Sequence, residues 1–517
     1  MAEKREYVVM FPFMAQGHII PFLALAIHIE KTRNYKITFV NTPLNIKKLR
    51  SSLPPNSSIQ LLEIPFNSCD HGLPPNTENC DVVPYQCVIR LLEASASLGT
   101  IFKDLIEDII QQQDGQLPLC IIGDIFFGWM AGIAQELGVF HAVFSGAGGF
   151  GLACYYSIWL NLPHKGVKAD DHFLLPDFQE ASKIQFTQLP ITMSKADGKD
   201  SWSVFHGKYL PEWANSSGIL FNTVEEFDHV GLTYFKRKLG TPVWPVGPIL
   251  LSIENRARVG KEAGITPEFC KAWLDTKPQN SVLYVSFGSM NTISSSQMMQ
   301  LAKALEVSGK NFIWVVRPPI GFEINSEFKA EEWLPEGFEE RIRESKKGLV
   351  VHKWAPQLEI LSHKSTSAFL SHCGWNSVLE SLGHGVPLIG WAMAAEQFFN
   401  VKFLVEDVGV CVEVARGKTC EVKHEDIAAK IELVMSDCVK GKEMRRKASK
   451  VGEMIKNAMK DEKGFKGSSV KAMDDFFNAA RTMRGQNDQK QQKRGDSKLE
   501  RVKKGLICTE QQVKNVG

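Results

Sequence analysis

WAPQLEILSHKSTSAFLSHCGWNSVLESLGHGVPLIGWAMAAEQ, residues Trp354–Gln397, packs strand, helix, strand and helix signals into 44 residues. Ser367–Leu370 (SAFL) is a short apolar run, as a buried strand is. A helix near Trp375–Gly383 follows, then a strand at Pro387–Trp391 (PLIGW) and a helix from about Ala394 to Asp407. Strands separated by helices lie parallel, because each crossover carries the chain back to the same edge of the sheet.

The same alternation extends outward. Upstream come a strand Ser281–Phe287, a helix Ser294–Glu306, strands Asn311–Val316 and Gly348–Lys353, and a short helix near Gln357–Leu361. Downstream lie a strand Val410–Val414 and a helix Glu425–Ser436. The first half repeats the pattern. Strands at Tyr7–Phe13 (YVVMFPF), Lys36–Asn41 (KITFVN), Ser58–Ile64 and Leu119–Gly123 (LCIIG) are separated by a helix from about Ile19 to Thr32 and helical periodicity over Glu93–Gln113. Between the halves, Gly240–Pro248 (GTPVWPVGP) is Pro-rich and aperiodic, and unpatterned charge continues to about Gly264, which reads as a linker. The expected fold class is α/β, with two Rossmann-like doubly wound domains, residues 1–245 and 266–466, facing across a cleft and joined by a linker at 246–265. Such sheets bind ligands beyond the carboxyl ends of their strands. Ser468–Arg481 has the pattern of one last amphipathic helix, which places a C-terminal helix at 467–483, packed back on the first domain.

Composition narrows the classes. Of 517 residues, 60 Lys/Arg against 58 Asp/Glu leave a net charge of +2, too balanced for a protein whose task is to grip nucleic acid. The stretch 484–517 is basic, with nine Lys/Arg against four Asp/Glu, and too poor in aromatic and β-branched residues to offset its ordering entropy, so it is expected to be a disordered, solvated tail. The eleven cysteines are odd in number and contain no C-x-x-C pair, against both a disulfide framework and a zinc module. No apolar stretch reaches the roughly 20 residues a bilayer needs, and the N-terminus lacks the pattern of a signal peptide. A cytoplasmic protein, without stable membrane insertion and monomeric, is the expectation.

The chemistry gathers in the opening stretch. Ser371-His372-Cys373-Gly374-Trp375-Asn376-Ser377 ends a strand and starts a helix, so exposed N–H groups, the positive end of the helix dipole and His372 converge where a diphosphate would sit. Asn376 and Ser377 could equally do no more than cap that helix. Glu380, one turn on, can accept two hydroxyls of a ribose, and Trp354 offers an indole face on which a base could stack. A tryptophan or a capping pair alone is usually structural. Together with Glu396-Gln397 they indicate a nucleotide-sugar. In the first half, His18 follows the first strand and Asp124 ends another, and parallel strand ends bring distant residues together. An imidazole can take a proton from a hydroxyl near neutral pH, and a carboxylate can hold its second nitrogen. Either residue taken alone could be a helix cap or a turn residue.

The stretch closely resembles the 44-residue signature box of plant secondary-product UDP-glycosyltransferases. The match runs through W-A-P-Q, H-x-x-x-x-A-F-L-S-H-C-G-W-N-S, L-E-S, G-V-P and the closing E-Q. It extends to G-H-x-x-P at Gly17, His18 and Pro21 and to F-G-S at Phe287–Ser289, covering about residues 5–480. The resemblance implies the GT-B fold, with an acceptor-binding N-terminal domain and the donor held by the C-terminal one. It implies that Trp354 stacks on uracil, that Ala355 contacts the base through its backbone, and that Gln357 and Glu380 hold the ribose. His372, Asn376, Ser377 and Ser289 would bind the diphosphate with Trp375 beside them, and Glu396 and Gln397 would read the sugar. The closing Gln397 points to UDP-glucose. Position 396 is Glu where many members have Asp, and Ala392 stands where Pro is usual, which leaves that loop's shape and the sugar choice open. His18 would be the general base and Asp124 its partner.

The function expected is a UDP-glucose-dependent O-glucosyltransferase, inverting and metal-independent, since no D-x-D pair occurs. No cofactor is expected beyond the donor substrate. The acceptor would be a small lipophilic molecule such as a flavonoid, phenolic, terpenoid or hormone-like compound. Loops at about Phe66–Arg90 and Phe144–Phe205 would line its pocket, with Phe150, Tyr155, Tyr156, Trp159 and Phe186 as candidates that could equally be core. Ser145 is a further candidate for touching the sugar. The alternative is a non-catalytic nucleotide-sugar-binding protein. An NAD-dependent dehydrogenase fits poorly, because Gly146–Gly151 (GAGGFG) has the wrong spacing for a dinucleotide fingerprint.

Overall fold

The computed structural model describes residues 5–84, 87–251, 264–418, 420–487 and 489. The first domain's strands are β1 (Tyr7–Phe11), β2 (Lys36–Asn41), β3 (Gln60–Glu63), β4 (Cys120–Asp124), β5 (Phe140–Ser145), β6 (Ile219–Phe221) and β7 (Val243–Pro245). They form one seven-stranded sheet in the order β3-β2-β1-β4-β5-β6-β7. The second domain's strands are β8 (Val282–Ser286), β9 (Asn311–Val316), β10 (Gly348–His352), β11 (Thr366–Ser371), β12 (Leu388–Ala392) and β13 (Cys411–Arg416), in the order β10-β9-β8-β11-β12-β13. All pairings in both sheets are parallel.

Parallel strands covered by helices on both faces bury side chains on both sides of the sheet. In β1, Val8 and Met10 enter one core while Tyr7, Val9 and Phe11 enter the core on the opposite face. A third core lies within the second domain. The largest crosses between domains and holds Phe150, Trp213 and Phe227 together with Tyr284, Trp375 and Phe403. Helices α1 (Gln16–Arg33), α2 (Gly149–Asn161), α4 (Trp375–Gly383) and α5 (Gln397–Phe403) reach the cleft, and α3 (Glu225–Leu239) packs against α2.

Several boundaries differ from the sequence reading. The helical pattern over Glu93–Gln113 is two helices, Val88–Ala96 and Leu98–Gln112, meeting at Ser97. The helix expected from Ala394 begins at Gln397 and passes into a π-helical turn at Leu404–Val408. The run read as a linker contributes β7 as an edge strand, where proline is tolerated because its missing N–H faces outward. Its continuation starts buried, with Val246, Ile249 and Leu251 in the first domain's core, and residues 252–263 lie outside those described. The last helix runs over residues 468–487, past the point where a disordered tail was expected to begin. Met473, Phe476 and Phe477 join the first domain's core, Arg484 pairs with Glu6, and Asn487 donates to the Gly138 carbonyl at 3.0 Å. Beyond residue 489 the expected tail lies outside the described residues.

Candidate active site

Register brings the first pair together. Phe11 of β1 pairs with Gly123 of β4, so Asp124 stands at the carboxyl edge beside the loop that leads from β1 into α1. His18 Nδ1 lies 2.9 Å from Asp124 Oδ2. The other carboxylate oxygen, Oδ1, accepts the Phe126 N–H at 3.0 Å. The side chain of Asp124 is 0% exposed and that of His18 is 24% exposed. Because Asp124 can only accept when ionised, Nδ1 carries the proton and Nε2 keeps a lone pair. Phe13 and Phe126 hold the ring at centroid distances of 5.5 and 5.2 Å. Burial pulls the imidazole pKa down, but the charge and hydrogen bond of Asp124, aided by the charge of Glu396 from the second domain, outweigh it and leave the pKa raised. Burial raises the Glu396 carboxyl in turn, against its own backbone N–H, His18 and Asn400.

A cavity of about 410 Å³ opens between the domains, with His18 on one wall. Ser289, Trp354, Ala355, Gln357, His372, Trp375, Asn376, Ser377, Glu380, Glu396 and Gln397 all line it, while Asp124 sits behind His18. The second sheet explains the convergence. Ser286 pairs with Ser371 and Ser371 with Gly390, so the segments after β8, β11 and β12 leave the sheet side by side. Trp354 follows β10 after Lys353, whose φ of 78° turns the chain, and the Trp354 carbonyl accepts the Gly264 N–H at 2.8 Å.

The polar groups are pre-arranged. Gln357 Nε2 donates to Glu380 Oε2 at 2.8 Å and to Ser377 Oγ at 3.2 Å, and its Oε1 accepts from the Tyr284 hydroxyl at 3.2 Å. Glu380, 1% exposed, is thereby fixed as a carboxylate acceptor one turn into α4. His372 lies at the start of the same turn. Burial, with the Lys418 charge, lowers its pKa to about 4, so the ring is a neutral donor. Among the described residues its buried Nδ1 has no hydrogen-bond partner. The ring fits between two glycines, since a Cβ on Gly288 would come within 2.7 Å of it and one on Gly374 within 2.5 Å. Gly374, Trp375, Asn376 and Ser377 at the start of α4 line the same space, and no side chain of the described residues caps the helix there, an arrangement suited to an anion. Among the described residues no group of three or more His, Cys, Asp or Glu is placed to hold a metal ion.

Trp375 lines the cavity, and its indole is engaged by the first domain: Nε1 donates to the Asn222 carbonyl at 2.9 Å and the ring stacks on Phe227. Two expectations change. Gln397 Oε1 accepts the N–H groups of Met393 and Ala394 at 3.1 and 3.0 Å, so only its amide NH₂ remains for a sugar. Ser145 is fully buried and closes a turn with Ala147, 3.1 Å from that N–H, although the following Gly146 and Ala147 line the cavity. Ala392, at the end of β12, is paired with Arg416.

Among the acceptor candidates Tyr155 lines the cavity, whereas Phe150, Tyr156 and Trp159 are buried in the core and Phe186 packs partly buried against it. The apolar wall beside His18 is instead Phe13, Phe126, Val88, Leu92, Trp202 and Met290. Phe13 was legible as the residue closing the first strand, and Phe126 stands two residues beyond Asp124. Val88 and Trp202 fall inside the two loops expected to line the acceptor pocket, whereas Met290 and the cavity lysine Lys418 carried no sequence signal.

Two Rossmann-like sheets facing across a cleft, an imidazole–carboxylate pair on one side and an anion-binding helix start on the other, define a glycosyltransferase of the GT-B type. Residues 238–451 match the family model described as UDP-glucoronosyl and UDP-glucosyl transferase. The chain is 56% identical over 486 residues to UDP-glycosyltransferase 92A1 of Arabidopsis thaliana, covering 93% of this chain and 98% of that protein. It is 43% identical to crocetin glucosyltransferase 3 of Crocus sativus, covering 84% of this chain and 91% of that one. The crystal structure of Glycyrrhiza uralensis UGT73P12 complexed with glycyrrhetinic acid 3-O-monoglucuronide is similar with a TM-score of 0.80 at 29% identity, over 94% of this chain and 98% of that chain. The chain belongs to the plant UDP-glycosyltransferase family and is an enzyme of that class. No helix among the described residues is long and apolar enough to cross a membrane.

Proposed function

We propose that the enzyme transfers glucose from UDP-glucose to a hydroxyl of a small lipophilic acceptor, in one inverting, metal-independent step. The acceptor O–H gives its proton to His18 Nε2, and Asp124 stabilises the imidazolium that forms. The acceptor oxygen attacks the anomeric carbon from the face opposite UDP. The bond to the β-phosphate oxygen breaks, that oxygen keeps the electron pair, and the α-linked donor becomes a β-glucoside. The leaving diphosphate meets the first-turn N–H groups of α4, neutral His372 and the side chains of Ser289, Asn376 and Ser377. Trp354 and Ala355 hold uracil, Gln357 and Glu380 the ribose, and Glu396 and the Gln397 amide the glucose hydroxyls.

The observation that carries this reading is the 2.9 Å His18–Asp124 contact, with the basic nitrogen left for a cavity whose far wall is the start of α4. The apolar wall beside His18 suits a lipophilic acceptor, in keeping with relatives whose names or complexes refer to crocetin and glycyrrhetinic acid. A cytoplasmic monomer completes the proposal. A non-catalytic binding protein would have no use for an imidazole oriented by a buried carboxylate. The test is UDP-glucose with a panel of phenolic and terpenoid acceptors, read by mass spectrometry. Glucoside formation lost in His18→Ala, with UDP still bound, supports the reading; full turnover in that variant refutes the base.

A further inference from the structure

Trp375 opens α4, the helix whose first turn carries Asn376 and Ser377, yet its indole is directed into the first domain. It is 3% exposed, its Nε1 donates to the Asn222 carbonyl at 2.9 Å, and its ring lies on Phe227 at a centroid distance of 5.6 Å and an interplanar angle of 13°. Gly148 faces it so closely that a Cβ there would come within 2.7 Å of the indole. Phe403 touches Phe227 at 5.5 Å and stacks on Phe150 at 4.9 Å, which closes the same seam from α5.

Both ends of this contact are tied down by hydrogen bonds to the backbone. On the donor side, the turn before α4 is held by the Cys373 N–H on Ser371 Oγ at 3.0 Å and by Asn400 Nδ2 on the Cys373 carbonyl at 3.0 Å. On the other side, the Asn222 N–H donates to the Ser145 carbonyl at 2.9 Å, and its side chain is tied to the backbone of Ile249 by bonds of 3.1 and 2.7 Å. From there the register runs without a break. Phe221 pairs with Ser145, Phe144 with Asp124, and Asp124 holds His18.

We infer that Trp375 is a positioning residue, an interdomain latch that fixes the start of α4, and so the diphosphate, at a set distance from the His18 imidazole. This rests on the proposed transfer reaction and deepens it. The indole does not grip the donor; it decides where the anomeric carbon stands relative to the base. Displacing a reacting centre by an ångström reduces the rate without requiring weaker binding.

The test compares Trp375→Phe, which keeps a ring over Phe227 but has no N–H, with Phe227→Ala, which removes the stacking partner from a position that does not line the cavity. Phe227→Leu replaces the latter if the alanine variant does not fold. The expected result is that UDP affinity by calorimetry and the KM for UDP-glucose stay within about twofold of wild type. At the same time kcat for transfer falls by roughly 10- to 100-fold in each variant, and the double variant is no slower than the slower single one. Weaker UDP binding in Trp375→Phe alone, or multiplicative losses in the double variant, would overturn the latch. If the wild-type protein bound UDP but transferred no glucose to any acceptor, the proposed function would fail instead. The latch would then be read by amide hydrogen exchange over Asn222–Phe227, expected to rise in Trp375→Phe, and an unchanged rate would sink it.

Discussion

His18 and Asp124 are 106 positions apart in the chain, and their side chains meet at 2.9 Å because β1 and β4 are neighbours in one parallel sheet. Replacing His18 by Ala removes the proposed proton acceptor and is expected to lower kcat by roughly 10²- to 10⁴-fold, with UDP affinity by calorimetry unchanged. Asp124→Asn keeps the size of the side chain but not the charge that stabilises the imidazolium, so kcat should fall there too while KM for the donor holds. A donor KM that rises in step with the loss of kcat would mean the pair serves binding instead.

The pH profile follows from the same pair. The base works only when unprotonated, and Asp124 and Glu396 hold its pKa above the ordinary imidazole value of about 6.5 despite burial. As pH falls through that raised pKa, kcat/KM should decline, so the acid limb lies above 6.5. Asp124→Asn removes the larger raising cause and should move the limb to lower pH as it lowers the plateau. Glu396→Gln should move it the same way by less. A limb that stays in place in both variants would show that another group titrates.

Much of this arrangement was legible because buried parallel strands are apolar runs and the box from Trp354 to Gln397 sits at three consecutive strand ends. What was not legible has physical causes. β6 and β7 are three residues each, too short to display a period. β5 (FHAVFS) runs into a Gly-rich turn that reads as loop. The partner of Trp375 is set by domain packing, so spacing within its own motif could not reveal that its indole packs into the first domain. Phe150 and Tyr156 differ from Tyr155 only in which side of α2 they occupy, and α2 is apolar on every side, which leaves no pattern to tell cavity from core.

The proposed ribose contacts make a separate prediction. Gln357 Nε2 bridges Glu380 and Ser377, and Glu380 is buried, so Glu380→Ala deletes the acceptor pair and leaves Gln357 without its shorter bond. Loss of a buried charged acceptor costs about 1.5–3 kcal/mol, which corresponds to a donor KM raised by roughly ten- to a hundredfold. The kcat at saturating UDP-glucose should change far less. The comparison ligand is UDP with a 2′,3′-dideoxyribose: it should bind wild type and Glu380→Ala equally, and a preserved preference for the ribose form in the variant would overturn the assignment.

The proposed diphosphate site depends on room for one ring. At Gly374 a Cβ would lie 2.5 Å from His372 Nε2, and the neighbouring backbone is fixed by Cys373 at a φ of 58°. The φ of Gly374 itself is −60°, so alanine is acceptable to the backbone and only the imidazole has to move. Gly374→Ala should therefore fold with little change in Tm but displace His372 from the start of α4, raising the Kd for UDP while leaving uridine, which has no phosphate, unaffected. His372→Phe, with no donor at all, should show the same split between UDP and uridine. Combining the two changes should cost no more than His372→Phe alone, because the alanine acts only by moving a group that the second substitution has already removed. If Gly374→Ala further weakened UDP binding in the His372→Phe background, the added methyl would be obstructing the phosphate directly, and the glycine would be needed for the ligand's approach and not for the ring.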